Sequence, residues 1–134
     1  MAEPNAAAAP LVDGISRTLD CSMAQAEERI RAALAEQGFG VLTEIDVAAT
    51  LKNKIGVERA PMKILGACNP MLANEVLGRD DSLSLMLPCN VVLDETPEGV
   101  RVRAIDPIAM LPGDTVTDLA DAARAKLAAA VTAM

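Results

Sequence analysis

The first clear pattern in the chain is a helical repeat of apolar residues near its start. Residues 22–38 place on one helix face the stripe Met23, Ala26, Ile30, Ala33 and Leu34. Ser22, with Gln25 three residues later, predicts a capping box at the start of this helix. Gly38 provides a left-handed stop at its end.

A second helical repeat occupies the end of the chain. Residues 113–134 carry the stripe Val116, Leu119, Ala120, Ala123, Leu127 and Val131. Thr115 and Asp118 resemble another capping box. We therefore predict two long amphipathic helices, one near each end of the chain.

Alternation of apolar and polar positions predicts five strands between and beside these helices. The strands are a weak one in residues 11–19 and clearer ones in residues 38–46, 61–68, 81–95 and 98–106. In residues 38–46, one side is predicted to hold Val41, Thr43 and Ile45. In residues 81–95, one face is predicted to hold Leu83, Leu85, Leu87, Cys89 and Val91. A turn near residues 97–99 joins the last two strands as a hairpin.

Short helices with polar starts fill the remaining connections. One follows Asp46 and ends at Gly56, and another follows Asn69-Pro70 and ends at Gly78. A brief helical turn is predicted after Asp106-Pro107. The resulting order is β-α-β-α-β-α-β-β-α. It predicts an α+β two-layer sandwich, in which two long helices pack on an antiparallel or mixed sheet. We expect one domain over residues 11–134, preceded by a disordered tail in residues 1–10.

Composition narrows the functions open to the chain. The net charge is −7 and Phe39 is the one aromatic residue, which disfavours nucleic-acid binding. No apolar run reaches the roughly 20 residues of a membrane span, and residues 1–10 lack the pattern of a signal peptide. Three cysteines suit a reducing cytoplasm. Histidine is absent, which excludes Ser-His-Asp and Cys-His catalysis and favours a soluble, non-catalytic protein.

Three ordered blocks carry the most specific pattern in the chain: GFGVLTEIDVAATLKNKIGV, MKILGACNPMLANEVL and LMLPCNVVL. They resemble the domain of unknown function 302 family over about residues 12–132. The resemblance implies a small α+β fold, similar in layout to TATA-binding-protein-like sandwiches, and a homodimer. It implies no established reaction. The family's signature positions fall on Cys68, Asn69, Pro70, Pro88, Cys89 and Asn90. The chain lacks the tyrosine that many relatives carry near PMKILG.

These signature positions have a structural interpretation. Asn69 and Pro70 are sufficient to start a helix. Free cysteines such as Cys68 and Cys89 are often buried as small hydrophobic residues. Pro88 removes one ladder hydrogen bond, which predicts a sheet edge or a bulge. A bulge there can turn Cys89 out of the core.

The same positions also have a chemical interpretation. Cys68 directly precedes a predicted helix N-terminus, a place that favours a thiolate. If their strands are neighbours, Cys68 and Cys89 can form a reversible disulfide, carry a sulfane sulfur or hold a soft ion such as Cu(I). A structural zinc is disfavoured because the chain has neither a CxxC motif nor a histidine.

Other candidates are weaker. Glu44 and Asp46 form a carboxylate pair on one strand, interpreted as a solvated side chain and a helix cap. Four methionines are interpreted as residues that fill the core or line a pocket for varied apolar ligands: Met62, Met71, Met86 and Met110. We favour a non-catalytic module that binds a small ligand or another protein. The alternative is a thiol protein that uses Cys68 and Cys89 in redox, sulfur-carrier or soft-metal chemistry.

Overall fold

A computed structural model describes residues 10–134, in which five strands form one antiparallel sheet. The strands are β1 (Gly14–Leu19), β2 (Gly40–Asp46), β3 (Met62–Cys68), β4 (Cys89–Thr96) and β5 (Gly99–Ile105). Their spatial order is β1-β5-β4-β3-β2, so β4 lies at the centre and β1 and β2 at the edges. The predicted tail in residues 1–10 lies outside the described residues, apart from Pro10.

Five α-helices and one 3-10 helix connect and cover these strands. They are α1 (Met23–Glu36), α2 (Val47–Ile55), α3 (Pro70–Arg79), α4 (Pro107–Met110), α5 (Thr117–Ala133) and the 3-10 helix Asp81–Met86. The long helices α1 and α5 contact each other and pack on the same sheet. The predicted element order and the α+β two-layer sandwich are confirmed. None of the helices in residues 10–134 has the length and apolar character that a membrane span requires.

The main core lies between the sheet and the two long helices. Strands β3, β4 and β5 contribute the residues of one face, because successive side chains point to opposite sides of a sheet. Its largest fully buried side chains include Ile30, Leu34, Leu65, Leu93 and Leu127. Burying each such side chain stabilises the fold by about 1.5–3 kcal/mol. The predicted stripe of α1 and the second half of the α5 stripe, Leu127 and Val131, supply the helical side of this core.

A second, smaller hydrophobic cluster lies beside the main core. The helices α3 and α4 contact α5, and the 3-10 helix contacts α3. The buried members of this cluster are Val76, Leu83, Leu111, Val116, Leu119 and Ala120. Met110 is half-buried and packs against both clusters. The apolar interior therefore has two parts that meet near α4.

Polar caps fix the helix starts that the sequence predicted. The amide of Gln25 donates to Ser22 Oγ, and the amide of Ser22 donates to Gln25 Oε1, each at 3.1 Å. This confirms the capping box of α1. Asp46 caps α2 by accepting from the amide of Ala49 at 2.9 Å. Gly56 ends α2 in the left-handed conformation, with φ 68°.

Two predicted helix ends are wrong. The helix α5 begins at Thr117 without a side-chain cap. Asp118 instead holds the guanidinium of Arg79 through contacts of 2.6 and 2.9 Å, and Arg79 also donates to the carbonyl of Thr115. This ion pair replaces the predicted capping box and joins α3 to α5. Gly78 does not stop α3, which continues to Arg79.

The strand predicted for residues 81–95 forms only in its second half. Residues 81–86 form the 3-10 helix, because Asp80 accepts from both the amide and the hydroxyl of Ser82, at 3.0 and 2.6 Å. Leu83 is buried while Leu85 is 86% exposed, so the two leucines do not share a buried face. The alternation of Ser and Leu in residues 82–85 therefore led to a strand being predicted where the chain forms a 3-10 helix.

Pro88 lies just before β4 and follows a cis peptide bond from Leu87. The predicted sheet edge or bulge at Pro88 is wrong, because β4 begins at Cys89 and runs through the centre of the sheet. A register irregularity occurs instead in β2, between Val41 and Thr43. Val41 faces the core, whereas Thr43 lies opposite Gly66 on the other face. The predicted common side of Val41, Thr43 and Ile45 is therefore wrong for Val41.

Candidate functional site: a thiol-lined cavity

An apolar cavity lies where the main core meets the second cluster, at the end of the sheet where β3 stops and β4 starts. Its walls come from β3, β4, α3, α4 and α5. The room inside it is about 40 Å³, and the cavity opens to solvent through a mouth. An enclosed cavity of about 150 Å³ admits benzene. The inner part therefore admits only a narrow group, and a larger ligand must extend into the mouth.

Cys68 and Cys89, the two cysteines of the predicted signature, line this cavity. Ala67 on β3 lies directly opposite Cys89 on β4, and Cys68 follows Ala67 as the last residue of its strand. Cys89 is 7% exposed, and Cys68 is half-buried. The sequence left open whether the two cysteines are close in space. Neighbouring strands place them at the same end of the sheet.

The surroundings of Cys89 favour a neutral thiol. Burial raises the pKa of the Cys89 thiol to about 11, and a negative charge on the nearby Cys68 adds to this increase. At neutral pH the Cys89 thiol is therefore protonated. Cys89 is therefore a poor nucleophile in the resting protein, because the thiolate is the reactive form.

Asn69 and Pro70 start α3, as predicted. Asn69 Oδ1 accepts from the amide of Leu72 at 3.3 Å, and Asn69 Nδ2 donates to the carbonyl of Gln37 at 3.2 Å. The second bond ties the start of α3 to the end of α1. Asn69 lines the cavity, whereas Pro70 is exposed at the first helical position. The Asn69 amide thus holds the cavity wall in place.

Pro88 lines the cavity and also packs against Gly66 of β3. A methyl group on Gly66 would lie 2.9 Å from Pro88 Cγ and would also collide with Thr43 Oγ1. Gly66 lies in the middle of its strand against Thr43 and Pro88, and only a glycine leaves room for both side chains. The sequence signal for this position is a glycine within an otherwise regular strand.

Comparisons with known proteins agree with this architecture. A family model described as "Domain of unknown function DUF302" matches residues 15–134. The chain belongs to the DUF302 family. The crystal structure of an uncharacterized conserved protein DUF302 from Bacillus stearothermophilus matches with a TM-score of 0.80 and 27% sequence identity, covering 87% of this chain and 94% of that chain. No curated protein shows a significant match. The resemblance carried by the three sequence blocks is confirmed.

The six residues that the resemblance predicted as a signature lie at more than one surface. Cys68, Asn69, Pro88 and Cys89 line the cavity. Asn90 lies opposite Gly66 and, by alternation with the buried Val91, on the other face of the sheet. There it borders a separate open groove together with Arg103. Cys89 and Asn90, which are adjacent in the LPCN motif, therefore line two different surfaces.

Sequence reasoning missed several lining residues of this DUF302 domain. Phe39, the single aromatic residue, is 4% exposed and forms part of the cavity wall. Met110, which the sequence offered as core filler or a pocket residue, lines the cavity from α4. Only the strand order shows that α4 lies near β3 and β4.

The carboxylate pair predicted as a weaker candidate lies elsewhere and is engaged in structural contacts. Glu44 accepts from Arg31 at 2.7 Å and pairs with Lys63 at 2.8 Å, and Asp46 caps α2. Hydrogen bonding from Lys63 lowers the pKa of Glu27 despite its partial burial, and Arg31 lowers it further. Within residues 10–134, no three His, Cys, Asp or Glu side chains gather in a group that could hold a metal ion.

Proposed function

We propose that this DUF302 domain is a non-catalytic binding module whose cavity takes the apolar end of a small molecule. The single observation that carries the proposal is an almost wholly apolar cavity whose lining includes Cys68, Asn69, Pro88 and Cys89. Its inner room of about 40 Å³ is far below the roughly 300–1,000 Å³ of pockets that hold a whole small molecule, so the cavity takes only one end of a ligand. The ligand enters with a narrow, unbranched end, because the inner room is about 40 Å³.

The chemistry of the lining supports binding more than catalysis. Asn69 contributes the polar side-chain groups of the wall, and its amide is occupied by the hydrogen bonds that cap α3. Cys89 stays protonated at neutral pH. Acid–base catalysis requires groups that exchange protons near the working pH. Burying apolar surface is favourable by about 25 cal/mol for each Å² removed from water. This free energy is the driving force for binding an apolar group in the cavity.

A nitrogen–proton NMR titration with 1-hexanol tests this proposal. We expect saturable shifts of the amides around the cavity, those of Ala67, Cys89 and Leu119 among them. Ala123→Leu fills the cavity from α5 and should abolish the shifts. Ala125→Leu is the matched control, since Ala125 is an exposed residue of the same helix and should leave binding unchanged. Shifts that persist in Ala123→Leu, or that never saturate, would refute the proposal.

Thiol chemistry is the second candidate function. It is supported by the position of Cys68 and Cys89 at one cavity and by the effect of a Cys68 charge on the Cys89 pKa. Glutathione disulfide can accept the two electrons of both thiols, giving a Cys68–Cys89 bond and two glutathione molecules. Peptide mass mapping after this treatment should find that bond in the wild type. If only mixed disulfides with glutathione appear, the pair does not act together. The same two thiols are the donors that a Cu(I) ion would use.

We also propose that the chain forms a homodimer through the β2 side of the molecule. This side exposes several apolar residues, namely Leu42, Ile45, Ile55 and Val57. The strand β2 is a sheet edge with free backbone groups. Light scattering should give twice the chain mass of 13.9 kDa, and Ile45→Lys should give a monomer. The exposed Leu11→Lys, at the opposite side of the sheet, is the control that should stay dimeric. A wild-type monomer would reject this interface.

The reducing cytoplasm is the compartment we propose for the chain. Cys21, Cys68 and Cys89 are all free thiols, as expected where disulfides are rare. Thiol trapping with an alkylating reagent in intact cells should recover all three in reduced form. Recovery of an oxidised pair without added oxidant would point to another compartment.

A further inference from the structure

Asn90 has no role in the cavity, and its surroundings on the other face of the sheet suggest a second site. An open groove of about 260 Å³ lies there, bordered by Asn90, Arg103, Asp13, Val92, Ile105 and Val12. Strands β4 and β5 form its floor, and the residues before β1 form one wall. The groove combines an amide, a guanidinium and aliphatic surface.

The arginines beside this groove outnumber the carboxylate that they share. Asp94 is 6% exposed, and Arg101 holds it with two bonds of 3.1 and 2.8 Å. Arg103 reaches the same carboxylate only at 3.5 Å. Asp94, Arg101 and Arg103 together carry one net positive charge, and Glu98 is a further carboxylate close to Arg101 but not to the groove lining.

The donors of Arg103 are largely unused within the described chain. Its Nε atom is buried and finds no hydrogen-bond partner in residues 10–134. A guanidinium has five N–H donors in a planar fork, which matches the two oxygens of a carboxylate. Asn90 is exposed and adds an amide donor on the same face.

We infer that the groove between Asn90 and Arg103 binds the carboxylate of a small amphipathic acid. The guanidinium of Arg103 turns from its long contact with Asp94 to pair with the carboxylate, and Asp94 stays bound to Arg101. Val92 and Ile105 contact the apolar part of the ligand. Asp13 on the opposite wall repels the carboxylate of the ligand and lowers the affinity of the groove for it. Replacing Asp13 by a neutral residue should therefore raise that affinity.

Benzoate is the probe for this site, and benzyl alcohol is its uncharged counterpart. The ring of either molecule is too large for the inner cavity of about 40 Å³. Binding of benzoate therefore reports on the groove and not on the cavity of the proposed function. An NMR titration should show saturable shifts of the Asn90 side-chain amide and of the Arg103 Nε–H, and benzyl alcohol should give none.

Four variants separate the groove from general charge effects. Arg103→Met should weaken benzoate binding by at least about tenfold, the loss expected for a charged hydrogen-bonded pair. Asn90→Leu should weaken it less, and Asp13→Asn should tighten it. Arg59→Met is the control, because Arg59 is an exposed loop arginine away from the groove. Its benzoate affinity should equal that of the wild type.

The outcomes decide the inference in either direction. Equal affinity of Arg103→Met and Arg59→Met for benzoate, or equal shifts with benzyl alcohol, would overturn it. If Arg103→Met does not fold, Asp13→Asn decides, because Asp13 is an exposed residue outside the strands. Unchanged or weaker binding in Asp13→Asn would then overturn it. Failure of benzoate leaves 1-hexanol binding in the cavity intact, so the two proposals fail separately.

Discussion

Gly66 is the position where a single methyl group should do the most damage near the cavity. The added Cβ would lie 2.9 Å from Pro88 Cγ and would also overlap Thr43 Oγ1. Both neighbours are attached close to the backbone, so neither can rotate freely away. Overpacking of this kind costs about 1–3 kcal/mol. We therefore expect Gly66→Ala to lower the free energy of unfolding by about that amount.

Gly40→Ala is the matched control for this substitution. Gly40 also lies in a strand, but a Cβ there meets no atom within 4 Å. Alanine in a strand interior is favoured over glycine by about 0.5–1 kcal/mol, because it loses less backbone entropy on folding. Gly40→Ala should therefore be neutral or slightly stabilising. Urea unfolding followed by far-ultraviolet circular dichroism measures both, since the chain has no Trp or Tyr for fluorescence.

A double-mutant cycle locates the cause of the Gly66→Ala defect. Thr43→Ala removes the overlapping oxygen, while the contact with Pro88 remains. The double variant should recover part of the loss, with a coupling of about 0.5–3 kcal/mol. Equal urea midpoints for Gly66→Ala and Gly40→Ala would refute the packing argument. Absence of recovery in the double variant would refute the assignment to Thr43.

Two further predictions concern pH. The pKa of Glu27 is lowered from 4.5 mainly by the hydrogen bond from Lys63, so its ionised form stabilises the fold above pH 4.5 and that contribution is lost as the pH falls through the lower folded-state value. Glu27→Gln should flatten the acid limb of a stability profile, whereas the exposed control Glu28→Gln should leave the limb unchanged. The pKa of Cys89 is raised from 9.0 to about 11, so stability should fall between those two pH values as the unfolded chain loses the thiol proton first. Cys89→Ala should remove this alkaline slope, and an unchanged slope would contradict the burial of the thiol.

Local signals made the helical part of the fold predictable. The capping box at Ser22 and the Asn69-Pro70 start are complete within a few residues, so no knowledge of the partner elements was needed. The 3-10 helix was missed because Leu83, Ser84 and Leu85 alternate as in a strand. The bonds from Asp80 to Ser82 decide the conformation there. Short polar side chains of this kind compete with strand pairing in a way that a hydrophobic period does not reveal.

The candidate site was only partly predictable. The sequence left open whether Cys68 and Cys89 are neighbours, and the cavity wall also needs α4 and α5, whose placement depends on the strand order. Asn90 was grouped with Cys89 because the family resemblance placed both in the LPCN signature. Alternation along a strand separates adjacent residues by the thickness of the sheet, and Asn90 accordingly faces Arg103.

The division of the apolar interior into two clusters should make the molecule open in stages. Seventeen buried residues hold the main core, whereas six hold the second cluster around α3, the 3-10 helix and α4. Smaller cooperative units unfold locally at lower free energy than the whole domain. Backbone amides of α3 should therefore exchange with deuterium before those of β4. The cavity lies along the boundary between these units, so a molecule bound there would contact both and make them unfold together.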